Sequence, residues 1–177
     1  MGTSDTQPKS KAAAPREIVR RKPRPAAADP RLSGVGVVQF FVQGHAASST
    51  AMKFTPSKLV EVLQVGLPFR ELQDLQTCLA VVSERLAPML GISKATFHRR
   101  KGDSRKLSPA VSDRVVRYAR LLGFALKVFG NLGDAKQWLN APQFGLGGAV
   151  PLEYAKTEIG AREVENLLGR IEYGVYS

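Results

Sequence analysis

Eight residues between positions 93 and 105 carry side chains suited to gripping a nucleic acid: Ser93, Lys94, Thr96, His98, Arg99, Arg100, Lys101 and Arg105. Arginine and lysine neutralise phosphates, while hydroxyl and imidazole groups hydrogen-bond phosphate oxygens or base edges. No stretch of the chain offers a comparable set for catalysis. A nucleophile with its base is absent, since His98 sits among arginines and no Ser/His/Asp or Cys/His set can be assembled. Gly145, Gly147 and Gly148 lead into Pro151 with no preceding strand, so they form no phosphate-cradling loop of known spacing. The single cysteine, Cys78, lies in an apolar helical pattern and reads as a small buried hydrophobe. With only His45 and His98 beside it, it makes no convincing zinc site. No catalytic residue, metal or cofactor is therefore expected.

The basic residues need a scaffold, and the stretch from Ser83 to Gly102 reads as a helix-turn-helix. Ala87 is small where a second helix must pack closely, and Gly91, four residues on, tolerates the positive φ of the turn. Leu86, Leu90, Ile92 and Phe97 fall at offsets that lock the two helices together. Ser93 is a good N-cap for the second helix. Lys94, Ala95, Thr96, His98 and Arg99 then face outward, as on a recognition helix entering a major groove. Pro88 is awkward inside the first helix.

Composition fits that chemistry. The 177 residues carry a formal net charge of +11, which favours a polyanionic partner, and 44% of them are hydrophobic, enough for a core. No apolar run is long enough to span a bilayer and no signal-peptide core follows the N-terminal charges, so a cytoplasmic location and no membrane contact are expected. Residues 1–33 are rich in Ala, Pro, Lys and Arg, and read as a disordered basic arm. Arg20, Arg21, Lys22 and Arg24 there either touch phosphate or merely solubilise. Residues 34–55 form an irregular linker or packing segment, with His45 at the surface.

Thr55-Pro56 signals a helix start, with Leu59, Val62 and Leu63 on one face and Gly66 and Pro68 as the stop. A second helix from Phe69 places Leu72, Leu75 and Leu79 at helical spacing. Ser108-Pro109 opens the longest helix, with Val111, Val115, Tyr118, Leu122, Leu126 and Phe129 on its apolar stripe. Arg114, Arg117 and Arg120 lie on another side, as a solvated face or as clamps on a nucleic-acid backbone. Gly130 to Gly133 breaks that helix, and from Asp134 onward the chain is less basic and reads as a second module. It has a short helix with Trp138 and Leu139, a Pro/Gly loop over residues 141–148, a short helix at Pro151, and a last helix from about Gly160 to Tyr173. Val164, Leu167, Leu168 and Ile171 read as core, and two terminal tyrosines, Tyr173 and Tyr176, suit an interface anchor. The divisions are 1–33, 34–55, 56–122 and 123–177, and the fold class is all-α.

The second module carries a resemblance. Val128-Phe129-Gly130, Ala135-Lys136-Gln137-Trp138-Leu139, the Leu146-Gly147-Gly148 turn ahead of Pro151-Leu152, and the ending from Leu167 through Gly169-Arg170-Ile171-Glu172-Tyr173 to Tyr176 resemble the toxin-binding domain of the Xre/MbcA/ParS antitoxins. The upstream part, including Arg99-Arg100-Lys101 and Ser112-Asp113-Arg114, is similar to that family's Xre-like helix-turn-helix. The match covers about residues 57–177. Val111 departs from it, standing where the family commonly has Glu.

The resemblance implies an Xre-like helix-turn-helix domain followed by a small helical toxin-binding domain. It implies a non-enzymatic type II antitoxin that neutralises a cognate RES-domain toxin, an NAD-consuming or ADP-ribosylating enzyme, by covering its active site. It also implies a homodimer that represses its own operon by binding operator DNA. Under this reading Trp138, Arg170, Glu172, Tyr173 and Tyr176 are the toxin-contact candidates. The alternative is a stand-alone helix-turn-helix repressor with a C-terminal sensing or dimerisation domain.

Overall fold

The protein is described by a computed structural model, which defines residues 56–99 and 106–175. The arm over 1–33, the segment over 34–55 with His45, and the Thr55 cap lie outside the described residues. Eight α-helices follow one another among these residues: α1 (Pro56–Val65), α2 (Phe69–Leu79), α3 (Ser83–Met89), α4 (Lys94–Arg99), α5 (Pro109–Phe129), α6 (Leu132–Asn140), α7 (Pro151–Tyr154) and α8 (Glu158–Tyr173). A single 3₁₀ turn, Phe144–Leu146, lies between α6 and α7. The all-α expectation holds.

α5 is the axis. Its start is set by Ser108, whose side chain accepts from the Val111 amide, with Pro109 in the first turn. Gly130 ends it in the left-handed region. Between these stops Val115, Tyr118, Ala119, Leu121, Leu122 and Ala125 are all buried. α1 and α2 pack on one part of α5, and α6 and α8 on another. One continuous core, from Leu67 through Leu86 and Tyr118 to Leu168, runs through both modules. The boundary placed at 122/123 falls inside α5. Val111, the departure from the family pattern, is 6% exposed and belongs to that core.

Polar groups pin the base of α5. The buried Ser112 hydroxyl accepts from the Leu67 amide at 2.9 Å and donates to the Ser108 carbonyl at 2.9 Å. The Leu107 amide donates to the Leu67 carbonyl at 2.7 Å, so the segment entering α5 is tied to the turn between α1 and α2. The last helix starts two residues before the expected Gly160, because Thr157 is its cap and accepts from the Gly160 amide at 3.1 Å. Val164 and Leu168 are buried as expected, whereas Leu167 and Ile171 are half-exposed.

Candidate nucleic-acid interface and partner-binding module

The helix-turn-helix forms at the expected residues. α3 ends at Met89 with Leu90 as its C-cap, and Gly91 takes φ +67°, a value that strains any residue with a side chain. The Ile92 amide donates back to the Ala87 carbonyl at 3.0 Å. Ser93 caps α4, accepting from the Thr96 amide at 3.0 Å, and its own hydroxyl donates to Thr96 Oγ1 at 2.9 Å. Pro88 is accommodated because it lies in the last turn of α3 and faces solvent. Only the helical bond to the exposed Glu84 residue is forfeited. Phe97 is buried with its ring edge-on to Phe69, the centroids 5.6 Å apart.

With Phe97 turned inward, Ser93, Lys94, Ala95, His98 and Arg99 are exposed and Thr96 is half-exposed. These form one outward face. His98 stands 3.7 Å from the Glu84 carboxylate, which would hold the imidazole to α3 when it is protonated. Arg100, Lys101 and Arg105 lie outside the described residues.

The three arginines of α5 do something else. Arg114 reaches the turn, donating from Nη1 to the Leu90 carbonyl at 2.8 Å and lying over Gly91, where a Cβ would collide with its guanidinium. It therefore caps α3 and leaves no room for a side chain at the turn. Arg117 donates to Glu158 at 2.9 Å and to the Lys156 carbonyl at 3.2 Å. Arg120 donates to Glu165 at 2.5 Å and to Glu158 at 3.3 Å. From α3, Arg85 donates to Glu153 at 2.8 Å and to Asn140 at 2.6 Å. Asn140 in turn donates to the Leu79 carbonyl at 3.1 Å. Arg85, Arg117 and Arg120 thus bolt one module to the other, while Arg114 holds the turn within the first.

The bolts are pH-sensitive. Burial pushes the Glu153 and Glu158 carboxyls up, but hydrogen bonds and charge outweigh it, from Arg85 and Lys156 on Glu153 and from Arg120 and Arg117 on Glu158. Both carboxyls end below their ordinary value. A depressed folded value stabilises the protein above the unfolded carboxylate range and is lost as pH falls through the folded value. The thermal midpoint is therefore expected to fall on acidification from about pH 5 to about pH 3. An R117A/R120A double variant should lose less over that window in a calorimetric pH series. Each pair is partly exposed, so its contribution is about 1 kcal/mol or less.

Among the candidates in the second module, Trp138 is half-buried, packed against Phe129 with ring centroids 5.7 Å apart. Glu172 is half-buried and pairs with Lys127 at 2.9 Å. Arg170 and Tyr173 stand together on the outer side of α8, where Ile159, Glu163, Asn166, Arg170 and Tyr173 are exposed at alternating steps of four and three. Tyr176 lies outside the described residues. The two modules differ in charge. Residues 56–124 hold twelve Lys/Arg against six Asp/Glu, and residues 125–174 hold five against six. Among the described residues no cluster of His, Cys, Asp or Glu could hold a metal ion, and no helix is long and apolar enough to cross a membrane.

The two modules coincide with two known domains. Residues 58–120 match the antitoxin Xre-like helix-turn-helix domain, and residues 125–174 match the antitoxin Xre/MbcA/ParS C-terminal toxin-binding domain. The chain is 30% identical over 120 residues to an antitoxin Xre of Yersinia enterocolitica, covering 67% of this chain and 81% of that protein. It is 32% identical over 117 residues to an antitoxin Xre of Photorhabdus laumondii, covering 66% of this chain and 79% of that one. A protein of Sphingobium named Prs ADP-ribosylating antitoxin is 25% identical over 132 residues, 70% of this chain and 83% of its own. With the turn at Gly91, the outward face of α4 and the second helical module all in place, the chain belongs to the Xre/MbcA/ParS family of toxin–antitoxin antitoxins.

Proposed function

We propose that this antitoxin neutralises a RES-domain toxin by covering its active-site entrance with the exposed side and C-terminal end of α8, and that it represses its own operon through α4. The observation that carries this is the joining of a basic helix-turn-helix and a near-neutral toxin-binding domain in one chain. Lys94, Thr96, His98 and Arg99 read base edges and nearby phosphates, with Ser93 helping to hold phosphate. Arg100, Lys101 and Arg105 extend the phosphate contact. Arg170 and Tyr173 face the toxin, joined by Tyr176. Trp138 and Glu172 contribute by shaping the module around them. A homodimer would place two α4 helices on half-sites about one DNA turn apart. The name of the Sphingobium relative, with its word ADP-ribosylating, supports ADP-ribosyl chemistry as the activity being silenced.

The test co-expresses the reading frame adjacent to this gene with and without the antitoxin and follows growth and cellular NAD. Growth arrest relieved by the full chain is expected, and arrest that persists would overturn neutralisation. In a gel shift on the upstream DNA, Arg99→Ala should bind about 10–100-fold more weakly, the loss of one good bidentate base contact. Binding as tight as wild type would remove Arg99 from the interface.

A further inference from the structure

Phe144 is 97% exposed, the most exposed large hydrophobic among the described residues. It does not hang from a loose loop. The Gln143 amide donates to the Ala149 carbonyl at 3.0 Å and the Gly148 amide to the Gln143 carbonyl at 2.9 Å. The Gln143 side chain donates to the carbonyls of Trp138 at 2.9 Å and Ala141 at 3.0 Å. Gly147 and Gly148 close the turn at φ +63° and +82°. Leu146 is buried beneath it, and the Gly145 backbone rests so near Leu167 that a Cβ would come within 2.6 Å of that side chain. The turn is therefore pinned at Gln143, Gly145 and Leu146, while the one side chain between these anchor points is projected into solvent.

We infer that Phe144, carried on the turn whose Gly145 backbone rests against Leu167, is the aromatic anchor with which this module docks its toxin, filling an apolar pocket on the toxin surface. The inference rests on reading residues 125–174 as the toxin-contact module and names the residue that holds the partner. Three observations commit the face to a toxin. It lies inside the segment matching the toxin-binding domain. It belongs to the module without positive excess, unsuited to nucleic acid. It is continuous with the outer side of α8, because Leu167 lies one turn from both Glu163 and Arg170. An aromatic ring on a pre-ordered turn loses little conformational freedom on binding, which is what makes such residues effective anchors. In this arrangement Phe144 supplies attachment, and the C-terminal end of α8 supplies the covering of the toxin's entrance.

The experiment titrates the purified product of the adjacent reading frame into full-length wild type and Phe144→Ala by calorimetry, with thermal melts and the operator gel shift alongside. The expected result is toxin affinity about 30-fold or more weaker for F144A, the loss of a hot-spot aromatic. Melting and DNA retention should be unchanged, since the ring packs on nothing that the fold needs. F144A binding the toxin as tightly as wild type would overturn the anchor while leaving neutralisation by α8 standing. Wild type failing to bind that protein would sink the proposed function and the anchor together. Unchanged toxin affinity with a shift in sedimentation would instead assign the patch to a second copy of this chain. Glu163 and Arg170, spaced about Asn166, could pair antiparallel in such a dimer.

Discussion

Phe97→Ala is expected to cost about 3–5 kcal/mol of folding stability, the range for truncating a fully buried aromatic, and to abolish operator binding. Phe97 is 1% exposed, and its ring is edge-on to Phe69. It is the only buried side chain of α4. The helix is six residues long, too short to persist in water without tertiary support. Losing the ring therefore removes both a core contact and the reason α4 stays folded against α3. Urea denaturation should show a lower midpoint, and a gel shift should show no retarded band at concentrations that saturate wild type. A midpoint equal to wild type would mean that α4 is held by something other than this ring.

The second large effect is expected at Leu168→Ala, about 2–5 kcal/mol. Leu168 is fully buried on the inner side of α8, in the same core as Leu139, Leu152 and Val164. Because that core is continuous with Leu121 and Tyr118 on α5, the loss should register as one cooperative transition with a lower midpoint, rather than as a separate early melting of the C-terminal module. The neighbouring Leu167→Ala gives the contrast. Leu167 is half-exposed, so its truncation should cost clearly less stability. Equal losses at the two positions would contradict the orientation of α8.

The parts of this protein legible in its sequence are those decided by neighbours in the chain. Ala87, Gly91 and Ser93 announced the turn because a close approach, a positive φ and an N-cap each select residue types at fixed offsets. Ser108-Pro109 did the same for α5. The arginines of α5 were not legible. Arg117 and Arg120 meet carboxylates about forty positions away, and only the packing of α8 on α5 decides that Glu158 and Glu165 face them. The one available signal was the matching excess of acid after Gly130. Leu167 shared a helical face with Leu168 in sequence, but it lies at the edge of that face, where the Gly145 turn covers it only in part. Phe144 gave no signal, because an aromatic residue in a Pro/Gly loop is as readily tucked under the loop as displayed by it. Its exposure depends on hydrogen bonds from Gln143 that no local pattern encodes.

The unbroken course of α5 through both modules has a consequence for how operator and toxin sense each other. Its 21 residues span about 31 Å, close to the pitch of one turn of B-DNA. There is no tether between the modules, so no linker entropy or effective-concentration effect relates the two binding events. Under the proposed function, α5 is a spacer of fixed length that carries a captured toxin a set distance and bearing from the groove. Whether loaded molecules can occupy neighbouring half-sites then becomes a question of clearance: the toxin's girth against the spacing of the DNA repeats. Inserting or deleting half a DNA turn between those repeats would change that clearance without altering a single protein contact.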